Sequence, residues 1–460
     1  MRERKGGISM KNEQNKIHTA PWRKPLGALI AFAVTLLACM LLLFTVCAAI
    51  PQSAVAEGCR NAAVYFTQNE GFPLLVDGVE GTRRDNYADC ALFNVIYNTD
   101  ASSPLSSMIQ APYYRVEGND IQEDYKAAIE GKAPNNNYAR YWHGSQIFLR
   151  PLLTFTSVEG CRQILFAVLL ILNGILAFLL IRKKHFIPAL AYFGALLSVR
   201  FWVAAFTLEY ITVFLILTSL CIAIVKFSEK QTSEERHRAL LLLCTVGGTV
   251  TGFFDFLTAE TLTFTIPVLL FLMLNRKSEE VLSFKKQFKR LFSWGMAWLL
   301  AYAATFAVKW LLVLAFSGPE AFANIFNDAL YRIGGEGESI SLMMVPIRNL
   351  AALLPFSEGI TVAGVVLYTL AILAVTGAVL YLFRGDKPDL AYMGILGLLA
   401  LLPYARFFLL MNHSYVHSFF TYRAQMATVL ALIAILAHGL EGSPLFRRKK
   451  ATKRKGVRKK

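Results

Sequence analysis

Long apolar stretches dominate the sequence, and the polar positions are gathered in the segments between them. A helix that rises about 1.5 Å per residue needs about 20 apolar residues to cross the roughly 30 Å of hydrocarbon in a bilayer. Ten runs approach or exceed that length, at 26–50, 162–181, 186–206, 208–227, 239–257, 261–275, 291–316, 358–383, 390–409 and 419–440. The pattern predicts an all-α integral membrane protein with about ten transmembrane helices.

Composition supports this class of fold. The mean hydropathy is +0.45, 55% of the residues are hydrophobic and only 17% are charged. Soluble domains rarely combine these values over such a length. The least certain spans are the pairs at 186–227 and 239–275, because their joining turns are short and charged and because 261–275 is short.

One long polar segment interrupts the apolar pattern. Residues 51–157, here called the polar insert, separate the first two apolar runs and carry 12 acidic and 8 basic side chains. Of the 47 lysines and arginines in the chain, 32 fall in the segments 1–25, 182–185, 226–238, 275–290, 384–389 and 441–460. Because positive loops stay on the cytoplasmic side, we expect those segments inside and the polar insert outside.

The expected organisation has five parts. A basic cytoplasmic tail (1–25) leads into the first transmembrane helix (26–50), the extracytoplasmic polar insert (51–157) and a polytopic helical bundle (158–440), and a second basic cytoplasmic tail (441–460) ends the sequence. The predicted location is a cell membrane, with both termini cytoplasmic. The net charge of +16 then reflects topology and contact with anionic membrane lipids, not binding to nucleic acid.

Two aspartates of the polar insert are candidate catalytic groups. Asp85 and Asp89 are four residues apart, so a helix that begins near Asp85 would project both carboxylates from one face. The alternative is that Asp85 only caps that helix. The insert also contains Cys59 and Cys90, which could form a disulfide or remain two free thiols.

Ionisable residues at membrane depth form a second candidate group. Arg200 and Lys309 lie in the outer halves of predicted spans, and Asp255 lies at an outer helix end. Ionisable groups at this depth usually face a cavity or a partner. We expect an outward-facing polar cavity, although separate interfacial anchors are the alternative.

The densest polar stretch lies between the last two spans. Arg406, His413, His417 and Arg423 suit a phosphate or pyrophosphate, because guanidinium gives bidentate bonds and imidazole donates hydrogen bonds. The two histidines are four residues apart and could share a divalent metal. No third ligand is identifiable, so no metal site is assigned and a divalent metal stays an open alternative. Histidines bonded only to loop carbonyls are the structural alternative.

A further cluster precedes the second span. Residues 138–144 read YARYWHG and combine three aromatic side chains with Arg140 and His143. Aromatic rings anchor proteins at the membrane interface, and sugar rings also stack on them. Arg140 and His143 would be free to hold an anion in the second case, so we count them with the donor-phosphate candidates.

These features together suggest group transfer on the outer face of the membrane. The sequence has no P-loop pattern, and ATP is absent from that side, so an activated lipid-phosphate carrier would have to supply the transferred group. A carboxylate would take the proton from an acceptor hydroxyl. Cations would stabilise the departing lipid phosphate.

At this level the chain resembles the GT-C class of polytopic glycosyltransferases. The likeness lies in a first span, a long acidic exterior loop and a bundle of about ten helices, and the strings YARYWHG and NHSYVHSFFTYR also look like those of little-characterised bacterial multipass proteins. The resemblance implies a polyprenyl-phosphate-linked sugar donor and a cell-envelope glycan or glycolipid acceptor. It also implies Asp85 or Asp89 as the base, although the closely spaced acidic pairs of some members are lacking.

Two other classes of function remain open from the sequence. A transporter or flippase for a lipid-linked or anionic substrate would use the same charges to line a path, but that path would also need polar residues in the inner halves of the spans. A non-catalytic partner in envelope assembly is the third class.

Overall fold

A computed structural model describes residues 23–228, 232–276, 283–334, 340–356, 359–383, 388–441 and 443. Within them the chain is almost entirely helical, with one two-stranded antiparallel pair formed by β1 (Pro112–Tyr113) and β2 (Asn136–Asn137). The predicted basic tails fall outside these ranges, apart from residues 23–25, 441 and 443.

The helices divide into those of the polar insert and those of the bundle. The first helix is α1 (Arg23–Ala48), and the insert contains α2 (Gln52–Thr67), α3 (Asn86–Asn98), α4 (Pro104–Gln110), α5 (Ile121–Ile129) and α6 (Gln146–Leu153). The bundle contains α7 (Val158–Arg182), α8 (Phe186–Ser198), α9 (Leu208–Phe227), α10 (Ser233–Phe254), α11 (Leu262–Asn275), α12 (Phe284–Ile333), α13 (Met344–Leu353), α14 (Val362–Phe383), α15 (Leu390–Leu409), α16 (Met411–Val416), α17 (Ser418–Thr421) and α18 (Met426–Gly439). Short 3₁₀ turns lie at Glu80–Thr82, Phe201–Ala205 and Tyr422–Gln425.

Eight helical segments of the described chain are long and apolar enough to cross a membrane. They are Leu26–Ala48, Val158–Arg182, Leu208–Phe227, Ser233–Phe254, Phe284–Ile333, Val362–Phe383, Leu390–Leu409 and Ser418–Gly439. This confirms the all-α membrane class that the hydropathy pattern predicts. The number of crossings and the side on which the insert lies stay predictions.

Two predicted spans are shorter than expected. The apolar runs at 186–206 and 261–275 contain α8 and α11, with 13 and 14 residues. At about 1.5 Å per residue, neither reaches across about 30 Å of hydrocarbon alone. α8 ends because Arg200 turns the backbone into the left-handed region (φ 51), and its guanidinium then donates to the carbonyl groups of Ala352 and Leu354.

The bundle is built around α9, which packs on α7, α10 and α11. α10 and α12 approach each other closely, because α10 has a glycine at the contact. A Cβ on Gly248 would lie 2.1 Å from the carbonyl oxygen of Trp298. α12 bends at Gly318, whose φ of +82 is one that glycine adopts without strain. Most of α14 is exposed, as expected for a helix that faces lipid.

The buried side chains of the polar insert pack together and are continuous with the core of the bundle. Phe66 of α2 makes edge contacts with Phe93 of α3 and Tyr125 of α5. The Tyr125 hydroxyl donates to the carbonyl oxygen of Cys59 at 2.8 Å. Cys59 and Cys90 are both buried in this core and are free thiols, which resolves the two alternatives left by the sequence. The helix that the sequence predicts to begin near Asp85 is confirmed by α3.

A buried arginine fixes the insert to the first helix. Arg150 of α6 is fully buried and donates to the carbonyl groups of Cys47, Ile50 and Ile96. The first two carbonyls belong to the end of α1 and the residues just after it, where a helix leaves its last carbonyls unpaired. The guanidinium therefore joins the first span, α3 and α6 at one point.

Candidate active site

The insert meets the bundle where the first turn of α3 lies against the first turn of α9. Asp85 is the N-cap of α3, and its carboxylate accepts from the Ala88 amide at 2.7 Å. Its own amide donates to Thr207 Oγ1 at 3.3 Å. The capping role that the sequence offered as an alternative for Asp85 is therefore confirmed, and the residue is also buried at the junction.

Asp89 is fully engaged by the bundle. Its Oδ2 accepts from Nη2 and Nε of Arg162 on α7 at 2.7 and 3.1 Å. It also accepts from the amides of Leu208 and Glu209 at 3.0 and 3.2 Å. Those amides open α9 and have no partner within the helix. Asp89 thus acts as a buried clamp between the insert, α7 and α9.

Arg162 extends this clamp into a polar network. Its guanidinium also donates to the Tyr65 hydroxyl at 2.9 Å and to Asn86 Oδ1 at 3.0 Å. Arg84 of the insert donates to the same two oxygens. The network holds two guanidinium groups and one carboxylate, and Arg84 Nε has no partner among the described residues.

The carboxyl groups of Asp85 and Glu209 form a pair. Their side chains lie next to each other, with Glu209 supplied by the first turn of α9. Burial, and next the charge of Asp89, raise the pKa of Asp85 to about 7. Glu209 Oε2 is buried and has no hydrogen-bond partner among the described residues. Two carboxyl groups in contact cannot both ionise readily, so the pair holds a proton near neutral pH.

Glu209 has no assigned role in the sequence interpretation. Its position beside Asp85 depends on the fold. The usable signal was an acidic residue in the first turn of an otherwise apolar and deeply buried helix. Such a residue is costly unless it is paired.

A small cavity adjoins Glu209 and Asp89. Its volume is about 20 Å³, the size of a water molecule or a hydroxyl group. It is lined by Ala88, Asp89, Leu92, Tyr138, His143, Glu209 and Phe256. The cavity therefore brings Tyr138 and His143 of the YARYWHG segment beside Asp89 and Glu209.

His143 is a neutral imidazole at this cavity. Its Nε2 contacts the carbonyl oxygen of Tyr138 at 2.8 Å, and since a carbonyl only accepts, Nε2 carries the hydrogen. Nδ1 is then an acceptor, and it has no partner in the part of the chain that the structure describes. Burial, and to a lesser degree Lys309 and Arg140, lower the pKa of His143 to about 3. His143 cannot serve as a cation for phosphate, but its Nδ1 can accept a hydrogen bond.

Arg406 and His413 hold a strained turn. Leu257 has a φ of 66, which is rare for a residue with a side chain. Its carbonyl oxygen accepts from Arg406 Nη2 at 2.6 Å and from His413 Nε2 at 2.9 Å. Arg406 also forms a buried ion pair with Glu260 at 2.9 Å. The alternative of a histidine bonded to a loop carbonyl is confirmed for His413.

The other predicted cations also bind backbone carbonyls. Arg423 donates to Phe419 and Gly81 at 3.2 and 3.3 Å, and its guanidinium lies 4.0 Å from the Tyr210 ring centroid. Lys309 donates to Met108 and Ile109 at 3.0 and 2.6 Å. Like Arg200, these residues fasten neighbouring segments to each other.

Asp255 closes the turn between α10 and α11. It accepts from the amide and the hydroxyl of Thr258 at 3.1 and 2.5 Å. Burial, and next the charge of Glu260, raise the pKa of Asp255 to about 7.

Two arginines with incomplete hydrogen bonding, Arg140 and Arg332, lie near His417. The side chain is half-buried, and Nδ1 lacks a partner among the described residues. Burial, followed by the charges of Arg332, Arg406 and Arg140, lowers the pKa of His417 to about 4. Arg140 is paired with the half-exposed Asp328 at 2.6 Å. Arg332 donates from Nη1 to the Asp328 carbonyl, and its Nε has no partner within the described ranges.

Tyr141 connects the carboxyl pair to these cations. The guanidinium carbons of Arg140 and Arg332 lie 5.5 and 5.9 Å from its ring centroid. Burial raises the pKa of the Tyr141 phenol, the two arginines oppose that shift, and the charge of Glu209 adds to it. The acidic and basic halves of the site are therefore within electrostatic range of one phenol. We call the residues Asp85, Glu209, His143, Tyr141, Arg140, Arg332 and His417 the junction site.

Comparison of the chain with protein-family models, with curated proteins and with solved structures gave no significant match. Within the described residues, no group of three or more histidine, cysteine, aspartate or glutamate side chains is arranged to hold a metal ion.

Proposed function

We propose that the protein is a GT-C-like glycosyltransferase that moves a sugar from a polyprenyl-phosphate-linked donor to an envelope glycan or glycolipid on the outer face of the membrane. The observation that carries the proposal is the buried Asp85–Glu209 carboxyl pair, in which Glu209 lines a cavity of hydroxyl size, together with the guanidinium groups of Arg140 and Arg332 beside Tyr141. Acid–base chemistry and anion stabilisation are the two needs of such a transfer.

The proposed step uses the pair as the general base. The acceptor oxygen forms a bond to the anomeric carbon while the bond between that carbon and the phosphate oxygen breaks. The acceptor proton passes to the Asp85–Glu209 pair, and the lipid phosphate leaves with the electron pair. Asp89 has no part in proton transfer, because Arg162 and two amides already occupy it.

The departing phosphate would meet Arg140, Arg332 and His417. Arg140 and Arg332 are the cations, each with an Nε that has no partner among the described residues, and the uncharged His417 would contribute a hydrogen bond. Three other predicted cations have a structural role, because they donate to backbone carbonyl groups or form an ion pair. They are Arg406, His413 and Arg423. This assignment refines the donor-phosphate group that the sequence suggests.

A groove in the bundle supports a lipid-linked donor. It has a volume of about 260 Å³ and lies between α6, α9 and α10, lined by Phe148, Thr212, Leu215, Ile216, Ser219, Leu220, Val246, Val250 and Phe254. Its lining begins three residues after Glu209 on α9 and ends one residue before Asp255 on α10. An isoprenoid chain in this groove would enter from the membrane and carry its phosphate to the junction site.

The test uses the purified full-length protein in lipid nanodiscs with short-chain polyprenyl phosphates bearing mannose, glucose, N-acetylglucosamine or arabinose. We expect donor turnover by the wild type and a loss of at least about 100-fold in Asp85→Asn and Glu209→Gln, the lower range for removal of a general base. Asp100→Asn is the control, because Asp100 is an exposed acid of the same insert.

The outcomes separate the classes of function. Unaltered transfer in both carboxyl variants would overturn the assignment of the base. Movement of the lipid-linked sugar across proteoliposomes without transfer would instead favour the transporter or flippase.

A further inference from the structure

A second, larger groove lies on the polar insert. It has a volume of about 510 Å³ and is bounded by the end of α2, the turn that follows it, and the first turns of α3 and α5. Small-molecule sites in proteins fall in the range of about 300–1,000 Å³. Its lining residues are Phe66, Thr67, Gln68, Asn69, Glu70, Gly71, Phe72, Tyr87, Asp120, Gln122 and Glu123. We call this the insert groove.

Two aromatic rings form a wall of the insert groove. Phe72 and Tyr87 are stacked, with centroids 5.7 Å apart and an interplanar angle of 16°. Both side chains are exposed, at 39% and 38%. Large rings exposed together on a polar surface are a common mark of a binding site.

The wall is held in place from behind. The carbonyl oxygen of Gly71 accepts from the amides of Asn86 and Tyr87, at 2.9 and 3.3 Å. The Asn86 amide group donates to the Glu70 carbonyl at 2.8 Å. The turn before Phe72 and the first turn of α3 are therefore one rigid unit, and a ligand would not have to order it.

The polar part of the lining has unused hydrogen-bonding capacity. The side-chain amides of Gln68 and Gln122 make no hydrogen bond to the residues that the structure describes, and neither do the carboxylates of Glu70, Asp120 and Glu123. A side-chain amide both donates and accepts, and carboxylates accept from pairs of hydroxyl groups.

This combination selects the chemistry of the ligand. Three carboxylates and no lysine or arginine in the lining disfavour a phosphate or another anion. A flat ring surface with amide and carboxylate groups around it matches a sugar, which has apolar C–H faces and hydroxyl edges. We propose that the insert groove binds a short saccharide that is neutral or carries amino groups.

The insert groove also adjoins the junction site. The ring centroids of Phe72 and Phe419 are 5.7 Å apart, and those of Phe419 and His417 are 6.0 Å apart. Tyr87 is two residues from Asp85 and is within electrostatic range of Tyr138 and Arg140. If the saccharide is the acceptor, a role that rests on the proposed function, its chain would approach the carboxyl pair along this wall.

Binding can be measured without turnover. The full-length protein, in a detergent without a sugar headgroup, is titrated with oligomers of N-acetylglucosamine, glucosamine, mannose and arabinose, and contacts are detected by saturation-transfer difference NMR. We expect Tyr87→Ala and Phe72→Ala to weaken binding about tenfold, as loss of one aromatic contact does. Tyr87→Phe keeps the ring and should bind within about twofold of the wild type.

Controls separate binding from folding and from catalysis. Phe155→Ala removes an exposed ring of the insert outside the groove and should leave binding unchanged. Gln122→Ala tests the polar lining if an aromatic variant fails to fold. Asp85→Asn should bind saccharide normally although it transfers no sugar, whereas a wild type that binds saccharide and transfers none would count against the proposed function alone.

Several results would overturn the inference. They are absence of binding across the panel at millimolar concentration, equal binding by the folded wild type, Tyr87→Ala and Phe72→Ala, and saturation of the groove by calcium or a lysine-rich peptide in place of a saccharide. Transfer activity in a protein that binds none of the oligomers would leave the proposed function standing and reject this one.

Discussion

Asp89 of the polar insert and Arg162 of α7 form an ion pair at 2.7 Å in which the two side chains are 0% and 3% exposed. The pair also holds the first amides of α9 through Asp89. Its geometry is that of a structural clamp, because every strong acceptor position of the carboxylate is occupied. Removal of one partner would leave the other charged and buried.

The first prediction concerns this clamp. Asp89→Asn should lower the free energy of unfolding by about 3–5 kcal/mol, the usual cost of an uncompensated buried charge. The measurement is chemical unfolding in micelles. Glu234→Gln is the control, because the Glu234–Arg238 pair is mostly exposed and such pairs contribute little. An Asp89→Asn protein as stable as the wild type would contradict the clamp.

The second prediction concerns the pH dependence that Asp85 gives to stability. Its pKa is raised to about 7 by burial and by neighbouring acids, so the folded state keeps a proton that the unfolded state loses near pH 4. The stabilisation is complete below about pH 4 and is lost as pH rises through about 7, with a slope approaching about 1.4 kcal/mol per pH unit for one proton.

Melting curves from pH 5 to 8.5 test this sign. Asp85→Asn keeps the helix cap, since asparagine also caps well, and should flatten the decline. Asp100→Asn should keep the wild-type slope, because hydrogen bonds from Ser102 lower the pKa of Asp100 and it titrates below this range. An Asp85→Asn protein whose stability depends on pH in the same way as that of the wild type would contradict the raised pKa.

The transmembrane architecture could be predicted from the sequence because it follows from a length requirement. A helix must bury every backbone polar group within the bilayer, so long apolar runs have few alternatives. The exceptions have local causes. The helix in the run at 186–206 ends early because Arg200 donates hydrogen bonds to the carbonyl groups of Ala352 and Leu354. These partners are distant in the sequence, so no local pattern predicts the contact.

The candidate site was only partly predictable. Their spacing placed Asp85 and Asp89 at the start of one helix, which α3 confirms. Spacing alone could not show that Asp85 shares a proton with a neighbouring acid whereas Asp89 is held in an ion pair. That difference depends on Arg162 and Glu209, which approach from other helices. Backbone carbonyls are the partners of Arg423 and Lys309, and a carbonyl leaves no trace in the amino-acid sequence.

The third prediction concerns the cysteines of the insert. Burial raises the pKa of Cys59 to about 12 and that of Cys90 well above its usual value. Since the thiolate is the reactive form, neither should react with iodoacetamide at pH 8 in the folded protein. Both should react after denaturation without a reductant, as mass spectrometry would show. A cross-linked Cys59–Cys90 peptide in the unreduced digest would contradict the free thiols.

The last prediction separates two arginines that the sequence would treat alike. Arg406 is 4% exposed and paired with Glu260, so Arg406→Gln should cost about 3–5 kcal/mol of stability and lose activity with the fold. Arg332 is half-buried and has an unpartnered Nε within the described ranges. Arg332→Gln should remain folded and raise the KM for the lipid-phosphate donor about tenfold, the effect of losing one charge-assisted contact.

Arg332→Lys is the matched variant for this pair. It keeps the charge but loses the bidentate geometry, so its KM should fall between those of the wild type and Arg332→Gln. A purely structural role for Arg332 would lower the melting temperature of both variants and leave the KM unchanged. A stable Arg406→Gln protein with a raised KM would contradict the structural role of Arg406 and would show that Arg406 binds the donor phosphate.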